Sequence, residues 1–344
     1  MKNTIVLAVG GTQGHIGPAK TVAKELVALG YEVKMVGVGI DRQVDTFSAY
    51  SVSGSSLSLA HLWKNGNSII RGVIQSLRLY KVFSPIFIIG FGSYHSFPPL
   101  VAGWLKNVPY ALYEPNVVSG RVNGLFAKRA LAIFTRFTKP TDKHFPCLQP
   151  TKTPVSRKEA AAYYCLDMKK KTVLLFGGSQ GAKALNTLIK TTVQDRLFPS
   201  DTFQLLHFTG EKEEWTYYQE LYRKKGVDAC VKPYEKEMHM AWSFADVAIS
   251  RSGASSISEA IFYGVPTLFI PYPFALDNHQ KENAIYVTKQ YSEFDWIEQK
   301  NITPHLLVER LKALSEMPPL EPAKTSTFVD FAKEVNALIQ KVKQ

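Results

Sequence analysis

Residues 4–14 have the sequence TIVLAVGGTQG, and residues 172–181 have the sequence TVLLFGGSQG. Each segment is an apolar run followed by Gly-Gly-Thr/Ser-Gln-Gly and then by a helical pattern. An apolar run without polar alternation is typical of a strand buried on both faces of a parallel sheet. Glycines directly after such a strand let the backbone turn tightly before a helix. The repeat therefore predicts two Rossmann-like α/β domains, one built around each glycine turn.

Further apolar runs extend this pattern along the chain, alternating with helical spacing, as is typical of α/β proteins. They lie at residues 32–38, 86–90, 109–113, 131–135, 203–208, 227–231, 246–250 and 265–270. Residues 139–157 contain four prolines and little periodicity, which predicts a linker. We expect an N-terminal domain over residues 1–152, a C-terminal domain over residues 153–324, and a final helix over residues 325–344.

The composition excludes several protein classes. The chain of 344 residues is 45% hydrophobic and 20% charged, an ordinary globular mixture that excludes disorder, collagen and coiled coil as descriptions of the whole chain. No apolar run reaches the roughly 18–20 residues that span a bilayer, and the N-terminus lacks the pattern of a signal peptide. The three widely spaced cysteines fit neither a disulfide framework nor a CxxC metal site. We expect a cytosolic compartment.

The charge is unevenly distributed. The chain carries a net charge of +12; residues 1–150 hold 16 Lys+Arg against 6 Asp+Glu, a net of +10, and the remaining residues contribute +2. This asymmetry indicates that the first domain meets an anionic surface. Nucleic acid, anionic lipid and an inert basic surface are the three alternatives at this point.

The glycine turns are candidate phosphate sites because a helix N-terminus offers N–H groups and a partial positive charge. Neither turn is GxGxxG, and no GxxxxGK[ST] occurs, which argues against nicotinamide and P-loop sites. A third loop, residues 250–259 (SRSGASSISE), offers hydroxyls at a helix start, and Glu259 could accept hydrogen bonds from two sugar hydroxyls. A fourth loop, residues 90–98 (GFGSYHSFP), follows another strand. Tight turns without a ligand, and for Glu259 a simple interaction with the helix dipole, are the alternatives.

Several segments follow one another along the chain: GGTQGHIGPA, GFGSYHSFP, YEPN with GRVN, GGSQGA, RSGASSISEAIFYGVP and DNHQKENA. Taken in this order, they resemble the MurG family of glycosyltransferases. The resemblance covers about residues 4–290. It implies the GT-B fold, in which two Rossmann-like domains face a cleft and the final helix crosses back to the first domain. It also implies an inverting enzyme that transfers N-acetylglucosamine from UDP-N-acetylglucosamine to lipid I in peptidoglycan synthesis, with roles in cell shape and division.

The resemblance assigns residues to two substrates. The donor site would comprise Ser179, Gln180, Tyr234, Glu235, Ala254, Ser255, Ser256, Glu259, His279, Gln280 and Arg157. The acceptor site would comprise Thr12, Gly14, His15, Gly92, Ser93, Tyr94, Asn116 and Asn123. The family pattern at the end of the linker is Asn-Pro-Val-Arg, whereas this chain has its basic residue one place later, at Arg157.

The implied chemistry needs a base and stabilisation of the departing diphosphate. His15 is the first candidate base because an imidazole titrates near neutrality; its alternative role is to orient the loop or to bind the acceptor diphosphate. Glu114 is the second candidate. No Asp-x-Asp occurs, so we expect no required cofactor and no dedicated metal site, with helix N-termini supplying the positive potential.

A membrane-contacting surface is predicted at residues 68–83. Apolar residues at i, i+3, i+4 and i+7 share a helical face, and basic residues flank it, as in helices that lie on anionic lipid. This surface comprises Ile70, Val73, Ile74, Leu77, Arg71, Arg78 and Lys81, and Trp104 would extend it. The alternative is the core face of a Rossmann helix.

These assignments place the protein at the cytoplasmic face of the bacterial inner membrane as a peripheral protein. Its partners would be UDP-N-acetylglucosamine, lipid I, the anionic membrane surface and other cell-wall synthesis proteins, without nucleic acid. The rival functions are a different GT-B enzyme acting on another lipid, a UDP-N-acetylglucosamine epimerase, and a basic binding module without enzyme activity.

Overall fold

The computed structural model describes residues 3–11, 13–40, 47–55, 59–137, 141–147, 152–178, 181–211, 213–321 and 329–343. The chain divides into two compact units, one formed by Met1–Pro150 with Phe328–Gln344 and the other by Thr151–Thr327. Each unit is a parallel β-sheet with helices, so the predicted α/β class with two parallel-sheet domains is confirmed.

The first unit contains a seven-stranded sheet with the strand order β3-β2-β1-β4-β5-β6-β7. Its strands are β1 (Thr4–Ala8), β2 (Glu32–Val38), β3 (Ser48–Val52), β4 (Phe87–Gly90), β5 (Tyr110–Glu114), β6 (Ala132–Thr135) and β7 (His144–Pro146). Its helices are α1 (Gln13–Ala28), α2 (Leu59–Phe83), α3 (Phe97–Leu105), α4 (Arg121–Phe126) and α12 (Phe331–Lys343). All paired strands run parallel, and β1 is buried along its whole length, as its uninterrupted apolar sequence predicts.

The second unit contains a six-stranded sheet with the order β10-β9-β8-β11-β12-β13. Its strands are β8 (Lys171–Phe176), β9 (Phe203–Phe208), β10 (Ala229–Lys232), β11 (Val247–Ser250), β12 (Thr267–Phe269) and β13 (Phe294–Trp296). Its helices are α5 (Arg157–Tyr164), α6 (Lys183–Gln194), α7 (Trp215–Lys225), α8 (Met238–Phe244), α9 (Ala254–Tyr263), α10 (His279–Gln290) and α11 (Pro304–Ser315). All its pairings are also parallel.

The last helix, α12, belongs to the core of the first unit. Phe331, Val335 and Ile339 are almost fully buried in one apolar cluster with residues of β1, α1 and β4. The Phe331 ring stacks 4.1 Å from that of Phe134 and 6.3 Å from that of Phe91, measured between ring centroids. The chain end therefore completes the core on which the first glycine turn is built.

Each sheet has a topological switch point at its first strand in the chain, because the following strands are added first on one side of that strand and then on the other. In the first unit β1 lies between β2 and β4, and in the second unit β8 lies between β9 and β11. In open α/β sheets, ligands bind outside the carboxyl ends of the strands at this point. The four loops singled out in the sequence follow β1, β4, β8 and β11, so they lie at the two switch points.

Ten strands coincide with the ten predicted apolar runs, and the structure adds β3, β7 and β13.

The linker prediction is wrong in part. His144–Pro146 pairs with β6 as an edge strand, where a proline is tolerated because one side of the strand needs no ladder bonds. The final helix begins at Phe331, and residues 322–328 lie outside the described part of the chain.

Candidate functional site

The switch point of the first unit brings the first and fourth loops into contact. The His95 ring, in the turn after β4, packs against the glycine turn after β1. A Cβ on Gly10 would lie 2.8 Å from the Cβ of His95, and a Cβ on Gly11 (φ +98°) would lie 2.9 Å from the His95 ring. Only glycine permits this approach. Burial, with His15 as a smaller cause, lowers the pKa of His95 to about 4, so this ring is neutral at pH 7.

His15 lies in the first turn of α1, and its Nδ1 is 2.8 Å from the carbonyl oxygen of Phe91. A carbonyl oxygen only accepts hydrogen bonds, so Nδ1 carries the proton. In the neutral ring Nε2 is then unprotonated and can accept a proton. The contact joins the helix after β1 to the residue that follows β4, and it fixes the tautomer that a general base requires.

Glu114 ends β5 and is buried, and its carboxylate holds the following loop. It accepts hydrogen bonds from the backbone N–H groups of Asn116 (3.1 Å) and Gly120 (2.8 Å) and from the hydroxyl of Ser119 (3.2 Å). A fourth bond comes from the side-chain amide of Asn123 at 2.9 Å. Burial raises the pKa of Glu114, and this effect outweighs the hydrogen bonds, which act to lower it. Since both oxygens are engaged, the contacts suit a loop-organising carboxylate better than a base.

Asn123 is 2% exposed and lies beside Gly92, whose added Cβ would be 3.2 Å from the Asn123 Nδ2. The Nδ2 group donates to the carbonyl of Tyr113 and to Glu114, both at 2.9 Å, which fixes the orientation of the amide. Within the described part of the chain, its buried Oδ1 has no hydrogen-bond partner. A buried acceptor without a partner is unusual and calls for a ligand or water.

The other predicted acceptor residues are placed as follows. Ser93 has a positive φ of 66°, and its hydroxyl oxygen lies 2.7 Å from the Nδ1 of His95. The Tyr94 ring stacks on that of His95, with 3.9 Å between the centroids. Gly14 is exposed in the first turn of α1. Thr12 lies outside the described residues.

At the switch point of the second unit, β8 and β11 are paired, with Phe176 opposite Ser250. The glycine turn after β8 is sterically demanding. A Cβ on Gly177 would lie 2.4 Å from the Ala182 nitrogen, and one on Gly181 (φ +72°) would lie 2.4 Å from the Thr209 carbonyl oxygen. Ser179 and Gln180, the predicted donor residues in this turn, lie outside the described residues.

Helix α9 begins next to that turn, and Gly253 precedes it without a side-chain cap. The first backbone bond of the helix runs from the Ile257 N–H to the Gly253 carbonyl at 3.0 Å. The N–H groups of Ala254, Ser255 and Ser256 precede that bond and have no acceptor within the helix. They form a candidate anion site of the kind that the loop sequence predicts.

Glu259 lies about one turn into α9. Its Oε2 accepts a 3.0 Å hydrogen bond from the indole N–H of Trp242 on α8, and Trp242 is 1% exposed. Burial raises the pKa of Glu259 to about 7, against the opposing effect of the Trp242 bond. A carboxylate held in this way has acceptor capacity left on both oxygens for ligand hydroxyls.

His279 and Gln280 begin α10. The His279 Nδ1 lies 2.7 Å from the Leu276 carbonyl oxygen, and the Gln280 Oε1 accepts the Tyr272 N–H at 2.9 Å. The hydroxyl of Ser252, in the loop after β11, donates to the Gln280 backbone carbonyl at 2.8 Å. The N-terminus of α10 is thus hydrogen-bonded to the loop before α9. Because the Gln280 oxygen already accepts a bond, its amide N–H₂ is the group that can donate to a ligand.

Tyr234 and Glu235 lie in the loop between β10 and α8. Tyr234 is 47% exposed and Glu235 is 4% exposed, so the aromatic side chain is accessible whereas the carboxylate is buried. A loop at the carboxyl end of β10 lies at the same edge of the sheet as the turns after β8 and β11.

The structure does not bring Arg157 to this edge. Its guanidinium donates to both carboxylate oxygens of Asp246, at 3.1 and 2.9 Å, and to the backbone carbonyls of Phe244 and Lys170. Asp246 immediately precedes β11, and therefore Arg157 lies at the amino ends of the strands. Its bidentate ion pair is the kind that arginine forms in structural roles.

Helix α2 presents part of the predicted membrane face. Ile70 and Ile74 are 60% and 45% exposed, and Arg71, Arg78 and Lys81 are exposed as well. Val73 is half-buried, and Leu77 packs against the core of the unit, so these two do not belong to the exposed face. Trp104, at 40% exposure, lies under the Arg129 guanidinium at 5.2 Å from the ring centroid.

In the described segments, no group of three or more His, Cys, Asp or Glu side chains could hold a metal ion. No helix among them is long and apolar enough to cross a membrane.

Sequence reasoning did not single out His95 or Trp242. His95 had a signal, since it stands three residues after Gly92 in a loop already predicted to bind ligand. Trp242 had none, because its partner Glu259 is 17 residues away on another helix.

Comparisons with known proteins agree with these units. Residues 5–135 match the N-terminal domain of glycosyltransferase family 28, and residues 172–341 match its C-terminal domain. The UDP-N-acetylglucosamine--N-acetylmuramyl-(pentapeptide) pyrophosphoryl-undecaprenol N-acetylglucosamine transferase of Protochlamydia amoebophila is 32% identical over 95% of this chain and 91% of that protein. The protein of the same name from Chlamydia pneumoniae is 33% identical over 89% of this chain and 88% of its own.

Solved structures give the same result. The crystal structure of Acinetobacter baumannii MurG has a TM-score of 0.78 and 25% identity, covering 98% of this chain and 99% of that one. The calicheamicin glycosyltransferase CalG4, at 12% identity and a TM-score of 0.69 over 100% of both chains, shares the fold alone. The predicted GT-B fold and the resemblance are therefore confirmed: the chain belongs to the MurG family, within glycosyltransferase family 28.

Proposed function

We propose that this protein transfers N-acetylglucosamine from UDP-N-acetylglucosamine to the 4-hydroxyl of the muramyl sugar of lipid I. The product is lipid II, with a β1→4 link formed by inversion. The observation that carries the proposal is the 32% identity over 95% of the chain to a transferase named for this reaction. The placement of the predicted residues at two switch points supports it.

The donor site that we propose is the switch point of the second unit. The first-turn N–H groups of α9 and the glycine turn after β8, with Ser179 and Gln180, would bind the diphosphate. Glu259 would accept the ribose hydroxyls, and His279 with the Gln280 amide would bind the sugar. Tyr234 and the Glu235 backbone would contact uracil. Arg157 is left out because its guanidinium is committed to Asp246.

The acceptor site that we propose is the switch point of the first unit. Thr12 and Gly14 in the first turn, and Gly92, Ser93 and Tyr94 in the turn after β4, would bind the lipid-linked diphosphate and sugar. The buried Oδ1 of Asn123, which lacks a partner among the described residues, would accept a hydrogen bond from an acceptor hydroxyl or N–H group. Asn116 would border the same loop.

The base in this proposal is His15. As the 4-hydroxyl oxygen forms its bond to the anomeric carbon, the hydroxyl proton passes to the His15 Nε2 and the bond from that carbon to the UDP oxygen breaks. The Phe91 carbonyl, which accepts from Nδ1, stabilises the imidazolium that results. The helix N-terminus at Ala254 stabilises the negative charge that develops on UDP.

The decisive assay is transfer of labelled N-acetylglucosamine to lipid I, with and without a chelator. We expect transfer in both conditions; a dependence on divalent metal would contradict a mechanism that relies on helix N-termini alone. Incubation with the donor alone tests the alternative, since a UDP-N-acetylglucosamine epimerase would act without an acceptor.

We further propose that the exposed face of α2 contacts anionic lipid. In a helix that turns about 100° per residue, six residues of α2 fall within an arc of about 120° around the helix axis. They are Ile70, Lys81, Ile74, Arg78, Arg71 and Val82. No acidic residue occurs between Asp45 and Glu114. An apolar stripe with basic neighbours is suited to the headgroup region. The protein would then be peripheral at the cytoplasmic face of the inner membrane, where other cell-wall synthesis proteins are candidate partners.

A further inference from the structure

The loop between β10 and α8 contains a buried carboxylate. The two Glu235 oxygens accept four hydrogen bonds between them. One oxygen accepts from the Glu237 N–H at 2.9 Å and the Tyr163 hydroxyl at 3.3 Å, and the other accepts from the Lys232 ammonium at 2.7 Å and the Tyr164 hydroxyl at 3.3 Å. A charge in a surface loop is usually solvated, so this enclosure is unusual.

The positive partner of that carboxylate packs against two aromatic rings. The Lys232 ammonium lies 4.5 Å from the centroid of the Tyr163 ring and 5.0 Å from that of Tyr164, both on α5. Cation–π contacts of this kind add to the ion pair. Burial opposes the charged form of Glu235, but the bonds from Lys232 and the Glu237 N–H outweigh it and hold the pKa of Glu235 below its usual value. The pair is therefore ionised at neutral pH.

These bonds fix the backbone on either side of Glu235. The Pro233 carbonyl accepts the Gly210 N–H at 2.9 Å, and the Glu237 N–H is held by the Glu235 carboxylate. Between these two points, the backbone N–H and C=O of Glu235 make no hydrogen bond to any residue that the structure describes. A rigid loop thus presents one peptide donor and one peptide acceptor beside the accessible Tyr234 ring.

We propose that the ion pair between the buried Glu235 carboxylate and Lys232, which Tyr163 and Tyr164 contact, positions the backbone N–H and C=O of Glu235 to recognise the edge of the donor's nucleobase. This proposal rests on the donor site proposed above. The uracil edge offers an N3–H donor next to carbonyl acceptors, which match a peptide C=O and N–H. Cytosine has an acceptor at N3 and a donor amino group beside it, which reverses the pattern. Backbone groups held in one orientation therefore select uracil, whereas mobile backbone groups could reorient.

The test measures the dissociation constants of UDP and CDP by calorimetry for the wild-type protein and three variants. Glu235→Gln and Lys232→Met each remove one charge of the pair. Glu237→Gln removes a neighbouring charge in the same loop, whose carboxylate pairs with Lys152 instead, and is the matched control.

We expect Glu235→Gln and Lys232→Met to weaken UDP binding about tenfold, the effect of about 1.4 kcal/mol, and to lower the UDP-over-CDP preference by a similar factor. KM for UDP-N-acetylglucosamine should rise in parallel, and kcat should fall by less than KM rises. Glu237→Gln should keep the wild-type preference. Equal losses of UDP and CDP binding, or an unchanged preference, would overturn the proposal.

A milder pair of variants covers the case in which Glu235→Gln does not fold. Tyr163→Phe and Tyr164→Phe each remove one hydroxyl and keep the ring that contacts Lys232. Each should lower the preference for UDP about two- to fivefold, and an unchanged preference in both would refute the positioning role. Wild-type protein that binds UDP and CDP equally would overturn this inference alone. Wild-type protein that transfers no N-acetylglucosamine to lipid I would overturn the proposed function.

Discussion

Replacing Glu259 by glutamine should make the protein more stable at alkaline pH while it weakens donor binding. Burial raises the pKa of Glu259 to about 7 in the folded protein, against an ordinary value of 4.5. Between these two pH values the folded state retains a proton that the unfolded chain has released. The unfolded state then binds fewer protons, and the free energy of unfolding falls as the pH rises.

The size of the effect follows from the two pKa values. A difference of 2.5, from 4.5 to about 7, corresponds to a limit of about 3 kcal/mol at about 1.4 kcal/mol per pH unit. Between pH 5 and pH 8 the loss is about 2–3 kcal/mol, most of it below pH 7. Glutamine keeps the shape and an acceptor for the Trp242 indole N–H, but it does not titrate.

The assay is denaturation of the wild-type protein and of Glu259→Gln at pH 5, 6, 7 and 8. Any constant packing cost of the glutamine shifts the whole difference curve, so the informative quantity is how the difference changes with pH. It should move in favour of the variant by about 2–3 kcal/mol from pH 5 to pH 8. A pH-independent difference, or one that moves the opposite way, would refute the account of Glu259 as a carboxylate whose ionisation is opposed by burial.

Three further predictions concern activity and membrane binding. KM for UDP-N-acetylglucosamine should rise about tenfold from pH 8 to pH 6, because the ionised fraction of a group with a pKa of about 7 falls from about 0.9 to about 0.1; a flat KM profile would exclude Glu259 as the ribose ligand. His15→Ala should lower kcat by about 10²–10⁴ and leave UDP affinity unchanged; a kcat within a few-fold of wild type would mean that His15 is not the base. Ile70→Asp with Ile74→Asp should reduce binding to vesicles with anionic lipid at least tenfold, with Val27→Asp on α1 as an exposed apolar control. Vesicle binding that is independent of anionic lipid and salt would exclude this surface.

The fold could be predicted because its signals are local. An apolar run, a glycine pair and a helical pattern are contiguous in the chain, so the strands β1 and β8 and the turns after them were evident without any tertiary information. The strands β3, β7 and β13 were not predicted because polar residues or proline interrupt their sequences, SAYSV, HFP and FDW, and leave no apolar run. In β7, a proline and a half-buried histidine gave no apolar run.

The partners of charged side chains could not be predicted. Arg157 pairs with Asp246, 89 residues away, and Glu235 lies in a loop where sequence patterns indicate solvation. Whether such a charge is buried depends on which element folds over it, and for Glu235 that element is α5, more than 70 residues earlier in the chain. The exposed face of α2 was likewise predicted only in part, since Leu77 packs against the core.

The position of α12 has a consequence for biosynthesis. Residues 1–150 leave the ribosome first, yet their core is filled by Phe331, Val335 and Ile339. At roughly 5–20 residues per second, the ribosome needs on the order of 10–40 s to reach those positions after residue 150. During that interval the nascent first unit exposes the apolar groove that the last helix will occupy, so this unit is the one expected to need protection by chaperones.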